Sequence, residues 1–96
     1  MTAYLISNLR VRDAEGFGKY VDLFGPNFAK SSGKVLAVDP APDKTEGDWP
    51  YNRTMILEFP SKEEARGWYD SAEYQEIAKL RHASAEGDAA IIDGLE

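Results

Sequence analysis

His82 is the one histidine in the chain. It is therefore the one side chain whose ordinary pKa suits proton transfer near neutral pH. It lies on the helical row Tyr74–Ala78–His82, which puts it either at a pocket rim or on a bare helix surface. Asn8 and Arg10 share a strand face with Tyr4 and Ile6. Polar groups on a buried face need partners, so Asn8 either meets a carbonyl or carboxylate ligand or serves the strand itself. Asn8 and His82 are thus the candidate catalytic residues. Glu58, in an apolar strand, is costly unless paired, and Arg53 or Arg81 is the expected partner. Both arginines are also candidate ligand-binding cations. Trp49, Trp68 and Tyr69, with Tyr51 nearby, either wall a small-molecule pocket or anchor a core or an interface.

Several chemistries have no residues to carry them. The chain has no cysteine, which excludes disulfides, thiolate catalysis and cysteine-held metals, and a lone histidine makes no metal site expected. There is no glycine-rich phosphate loop, nucleophile elbow or His-Glu-x-x-His helix, and no cofactor is expected. A net charge of −6 with dispersed acids disfavours nucleic acid and anionic membrane as partners. No apolar run approaches the roughly 20 residues of a membrane span. The start Met1-Thr2-Ala3-Tyr4 lacks the order of a signal peptide. A cytoplasmic location is the expectation.

These side chains need elements to hold them. The 96 residues make one domain, short enough to leave a thin core. Ala3 to Arg12 reads as a strand with Leu5, Ser7, Leu9 and Val11 on one face and Tyr4, Ile6, Asn8 and Arg10 on the other. Asp13 suits an N-cap. The helix it opens carries Phe17, Tyr20, Val21, Phe24 and Phe28 as one stripe, with a kink or break predicted at Gly25-Pro26 and a left-handed cap at Gly33. Lys34 to Asp39 is a second strand, Val35 and Ala37 on one face, Leu36 and Val38 on the other. Asp39 to Thr45 is too proline-rich to pair centrally. Asn52 to Phe59 is a third strand, alternating Arg53, Met55, Leu57 and Phe59 with Thr54, Ile56 and Glu58. Ser61 and Glu64 form a capping box. That helix bends and restarts near Asp70, buries Tyr74, Ile77 and Leu80, and ends at Glu86-Gly87. Asp88 to Asp93 is a last strand.

The order βαββαβ is the ferredoxin-like α+β arrangement, a four-stranded antiparallel sheet with helices on one face. Such a sheet ordinarily leaves one face wet, yet the first three strands carry large apolar groups on both faces and the last carries smaller ones. The same face of a second copy is the simplest cover, with sheets stacked about 10 Å apart. A homodimer through the sheet face, forming an α+β barrel, is predicted.

The chain resembles the domain of unknown function 1330 (DUF1330) family, within the dimeric α+β barrel superfamily. The resemblance rests on Ala3-Tyr4-Leu5-Ile6, Glu46-Gly47-Asp48-Trp49, Glu58-Phe59-Pro60-Ser61, Ala65-x-x-Trp68-Tyr69, Ser71-x-Glu73-Tyr74, Leu80-Arg81 and Asp93-Gly94. The stretch Pro40-Ala41-Pro42 departs from it, since relatives commonly continue a strand there. The superfamily likeness implies a cofactor-independent enzyme acting on a small aromatic or keto-acid-like molecule, monooxygenase- or isomerase-like. Asn8 and His82 would be its polar anchors, and Trp49, Trp68 and Tyr69 its walls. The alternative is a non-catalytic ligand-binding, structural or stress-accessory dimer. An enclosed pocket of roughly 300 Å³ or more with convergent polar groups favours the enzyme.

Overall fold

Alternation along β1 (Ala3–Val11) sets the layering: Ala3, Leu5, Ser7 and Leu9 are buried, while Tyr4, Ile6 and Asn8 are half-buried. Side chains leave a strand on alternate faces, so the first set faces the helices. The computed structural model describes residues 1–95. Strand β3 (Arg53–Phe59) pairs antiparallel with one edge of β1, Leu57 opposite Leu5 and Met55 opposite Ser7. Strand β4 (Ala85–Asp93) pairs antiparallel with the other edge, Ile91 opposite Leu5 and Ala89 opposite Ser7. Strand β2 (Lys34–Asp39) completes a sheet of order β2-β3-β1-β4. With the helices between them, this is the expected ferredoxin-like βαββαβ chain, its second helix in two pieces.

Helix α1 (Ala14–Phe28) opens at Asp13, whose carboxylate accepts from the Gly16 amide at 3.1 Å, an N-cap as expected. It buries Phe17, Tyr20, Phe24, Asn27 and Phe28. Val21, expected in that stripe, is 40% exposed, and Asn27 takes the buried position instead. Pro26 does not break the helix. The amide that proline lacks would have bonded the carbonyl of Asp22, an exposed residue where water can substitute. Gly33 is no left-handed cap either, because Gly47 is the one described residue with positive φ. Its smallness answers a close approach: a Cβ on Gly33 would lie 2.5 Å from Phe28 Cζ.

Strand β2 also departs from simple alternation. A bulge between Val35 and Ala37 sets Val35 opposite Leu57 and Val38 opposite Met55. One extra residue thereby puts Val35 and Val38 on the helix side, where Val35 and Ala37 had been expected to share a face.

Helix α2 (Lys62–Tyr69) starts at Ser61, whose Oγ accepts from the Glu64 amide at 3.1 Å. Helix α3 (Ala72–Ser84) restarts near Asp70 as expected, with Ser71 as its N-cap, Ser71 Oγ accepting from the Tyr74 amide at 3.3 Å. Its buried row is Tyr74, Ala78, Arg81 and Ser84, with Ile77 and Leu80 only half-buried. The helix ends at Ser84, not at Glu86-Gly87. The Arg12 and Asp13 amides take the Ser84 carbonyl at 2.9 and 3.1 Å, and Ala85 already pairs with Val11.

All three helices draw their contacts from one side of the sheet. The other side carries Tyr4, Ile6, Ile56, Ala90 and Ile92, with Ile92 43% exposed. Among the described residues no helix is long and apolar enough to cross a membrane.

Candidate functional site

Residues 85, 87, 89 and 91 of β4 face the helices, and three of them are small: Ala85, Gly87 and Ala89. Small side chains on this edge strand leave space beneath α3. A cleft of about 180 Å³ opens there, lined by Leu9, Tyr69, Arg81, His82 and β4 from Ala85 to Ala89. Gly87 is needed for the close strand approach that shapes its floor, since a Cβ would lie 2.0 Å from the Asn8 carbonyl oxygen.

Arg81 is the charged group of this cleft and is only 8% exposed. Its Nη1 donates to the Tyr74 hydroxyl at 3.1 Å, and that hydroxyl shares a proton bond of 2.8 Å with Tyr20 Oη. Burial pushes both phenols above their ordinary pKa, so at neutral pH they are uncharged partners. The guanidinium stays charged under these conditions. No carboxylate forms an ion pair with it among the described residues. The two acids at the cleft rim are engaged elsewhere: Glu86 pairs with Arg12 at 2.7 Å, and Asp88 accepts from the Tyr51 hydroxyl. Both sit opposite Arg10 and Asn8 on the other face of the sheet.

His82 is exposed at the same rim. Partial burial first, then the positive charge of Arg81, hold its pKa below the ordinary value, leaving the ring neutral at pH 7. The cleft therefore combines one buried cation, one neutral imidazole and an aromatic wall. That set can hold an anionic oxygen and accept a proton beside it.

Of the seven candidate residues, Tyr69, Arg81 and His82 come together here. Asn8 does not join them: it lies on the opposite sheet face, its Oδ1 accepting from Thr54 Oγ1 at 3.0 Å. Trp49 sits on a loop, its ring 5.2 Å from Tyr51. Arg53 stacks its guanidinium 5.0 Å over Phe17, in a separate cleft of about 540 Å³ with Val21 and Pro40. Trp68 packs into the core against Phe24, Phe28, Phe59 and Tyr74. It also borders a cleft of about 380 Å³, but the polar groups there satisfy one another. Trp68 Nε1 donates to Asn27 Oδ1, and the Asn27 amide and Lys30 both donate to Glu73. Glu58 pairs with neither Arg53 nor Arg81, because it faces away from both, opposite Tyr4 and Lys34.

Tyr20, Tyr74 and Ser7 are site-adjacent residues that the pattern of the chain had marked only as part of buried faces. The Ser7 hydroxyl is buried with no hydrogen-bond partner. A lone hydroxyl between Leu5 and Leu9 on an apolar face was the available signal.

The family model for the domain of unknown function DUF1330 matches residues 2–95. The chain belongs to the DUF1330 family. The DUF1330 chain is similar in structure to a protein of unknown function, RPA0582, from Rhodopseudomonas palustris, with TM-score 0.82, 20% identity, and coverage of 99% of this chain and 83% of that one. It is also similar to SnoaB, a cofactor-independent oxygenase from Streptomyces nogalater, with TM-score 0.73, 9% identity, and coverage of 99% and 94%. A dimeric ferredoxin-like protein of unknown function from Thermobifida fusca gives TM-score 0.67, 11% identity, and coverage of 98% and 92%. At these identities the likeness is one of fold. No curated protein sequence matches the DUF1330 chain.

Proposed function

We propose that the protein is a cofactor-independent enzyme whose substrate is a small aromatic or keto-acid-like anion held in the Arg81 cleft. The observation that carries this reading is a buried guanidinium whose hydrogen-bond partner is a neutral phenol and whose outer side borders an open cleft. Burying an unmatched charge costs several kcal/mol, a cost that an anionic ligand would offset. Arg81 anchors a carboxylate or a developing enolate oxygen. Neutral His82 takes the proton from the neighbouring carbon or hydroxyl. Return of that proton to a different carbon gives an isomerase. Reaction of the enolate carbon with dioxygen gives an oxygenase, one oxygen staying on that carbon as a carbonyl and the other leaving as water with the two hydrogens the substrate loses, and SnoaB is likewise a cofactor-independent oxygenase.

The assembly that goes with this reading is a two-fold dimer through the sheet face bearing Tyr4, Ile6, Ile56 and Ile92. It is supported by the apolar character of that face and by the dimeric Thermobifida fusca protein of the same fold.

Two observations favour binding without catalysis. The cleft, about 180 Å³, falls short of the roughly 300 Å³ expected of a catalytic pocket. Among the described residues no hydrogen bond holds the His82 ring, whereas a base needs its tautomer held. Calorimetric titration with benzoate and with phenylpyruvate tests both readings. Binding to the wild type that is lost in Arg81→Met supports the site, and turnover of phenylpyruvate that disappears in His82→Ala supports the enzyme. Equal binding by wild type and Arg81→Met would overturn both.

A further inference from the structure

The Arg81 cleft has a neighbour. A second cleft of about 200 Å³ continues along the same strand, lined by Leu5, Arg66, Tyr69, Ala89, Ala90 and Ile91. Tyr69 and Ala89 line both. On β1, Leu5 lines one and Leu9 the other, with Ser7 between them on the same face and opposite Ala89. The two spaces thus lie end to end in the gap between β4 and the helices, with Tyr69 at the junction.

Tyr69 is held as a wall. It is the last residue of α2, and Gln75 Nε2 donates to its carbonyl at 2.6 Å across the α2–α3 break. Its ring lies between the Arg66 guanidinium, 5.6 Å away, and the Tyr74 ring, 5.5 Å away. Beyond it the lining is aliphatic apart from Arg66, which is already bound to Asp70 at 2.9 Å. The first cleft alone is smaller than the roughly 300–1,000 Å³ of common small-molecule sites.

We infer that the two clefts are one groove partitioned by the Tyr69 ring, which makes Tyr69 the specificity-determining residue that confines the ligand to a carboxylate with a single-ring or similarly short apolar body. This rests on the reading of Arg81 as the anion anchor. With the ring present, a ligand seated on Arg81 ends against it. With the ring removed, a longer apolar body runs on over Ala89 toward Leu5 and Ile91.

The test is calorimetric titration of benzoate and 2-naphthoate against the wild type, Tyr69→Phe and Tyr69→Ala, with far-UV circular dichroism to confirm folding. The wild type and Tyr69→Phe should bind benzoate at least as tightly as 2-naphthoate. Tyr69→Ala should shift the ratio at least tenfold toward 2-naphthoate, even though loss of the wall weakens benzoate binding itself. Tyr69→Leu replaces Tyr69→Ala if the latter does not fold. Benzoate binding with an unchanged ratio in the ring-deleted variant would overturn the partition alone. Failure of the wild type to bind benzoate at all would overturn the anchor and the partition with it.

Discussion

Arg81 Nη1 donates to the Tyr74 hydroxyl at 3.1 Å, in the core face of α3, where the phenol is the acceptor a carboxylate would usually supply. Tyr74 is 1% exposed and its pKa is raised by burial, so it gives the guanidinium a dipole and not a charge. A buried cation whose partners are neutral phenols is one that an anionic ligand would stabilise further.

The cost of that unmatched charge is measurable. Arg81→Met removes the unmatched charge and keeps the packing volume, and should raise stability by about 1–3 kcal/mol. Urea unfolding of the two proteins checks this. A loss of stability would mean that the Tyr74–Arg81 contact is a structural asset and not a ligand site.

Ser7 makes a parallel case on the sheet. Its hydroxyl is buried and unpartnered, so Ser7→Ala should stabilise the protein by about 1 kcal/mol. For a domain of this size that is a rise in Tm of roughly 4–8 °C, readable by calorimetry.

Gly87 should tolerate no side chain. A Cβ there meets the Asn8 carbonyl oxygen at 2.0 Å and Leu9 Cα at 2.9 Å, both backbone atoms that cannot rotate away. Gly87→Ala must push β4 from β1 and should cost about 1–3 kcal/mol or more. Denaturant melts will show whether it does, and the Arg81 cleft should lose ligand affinity with it.

The sheet face opposite the helices gives a prediction for assembly. Ile6 and Ile56 are cross-strand partners near its middle. Burying a carboxylate between stacked sheets costs several kcal/mol per ion, and Ile6→Asp places one in each protomer. Light scattering at micromolar concentration should give a dimer for the wild type and a monomer for Ile6→Asp. A monomeric wild type would count against the barrel.

Strand faces were the most readable part of this chain, because two-residue alternation in β1 and β3 admits one register against a buried layer. Asp13 and Ser61 announced their helices through capping chemistry that is local in sequence. The errors came where tertiary contacts decide. Pro26 survives in α1 because its missing bond falls on the wet side. The bulge in β2 and the end of α3 depend on pairing partners far along the chain. The site was half legible for the same reason. His82, Arg81 and Tyr69 stood out by residue type, but only folding separates them from Asn8, Arg53, Trp49 and Trp68. The Tyr20–Tyr74 hydroxyl pair joins residues 54 positions apart, a separation at which sequence pattern is silent.

His82 reports on the anchor without interference, since the chain holds no other histidine. Its pKa should lie below the ordinary 6.5, held down by partial burial and by Arg81. An anion on Arg81 offsets the second of these causes, so bound benzoate should raise the His82 pKa, and by linkage benzoate should bind more tightly as pH falls through that range. Benzamide, which matches it in shape without the charge, should leave the titration unmoved. The decisive measurement is an NMR pH titration of the His82 ring, free and with saturating benzoate or benzamide. A saturable upward shift with benzoate alone is the predicted result, and a His82 pKa indifferent to benzoate would contradict Arg81 as the ligand anchor.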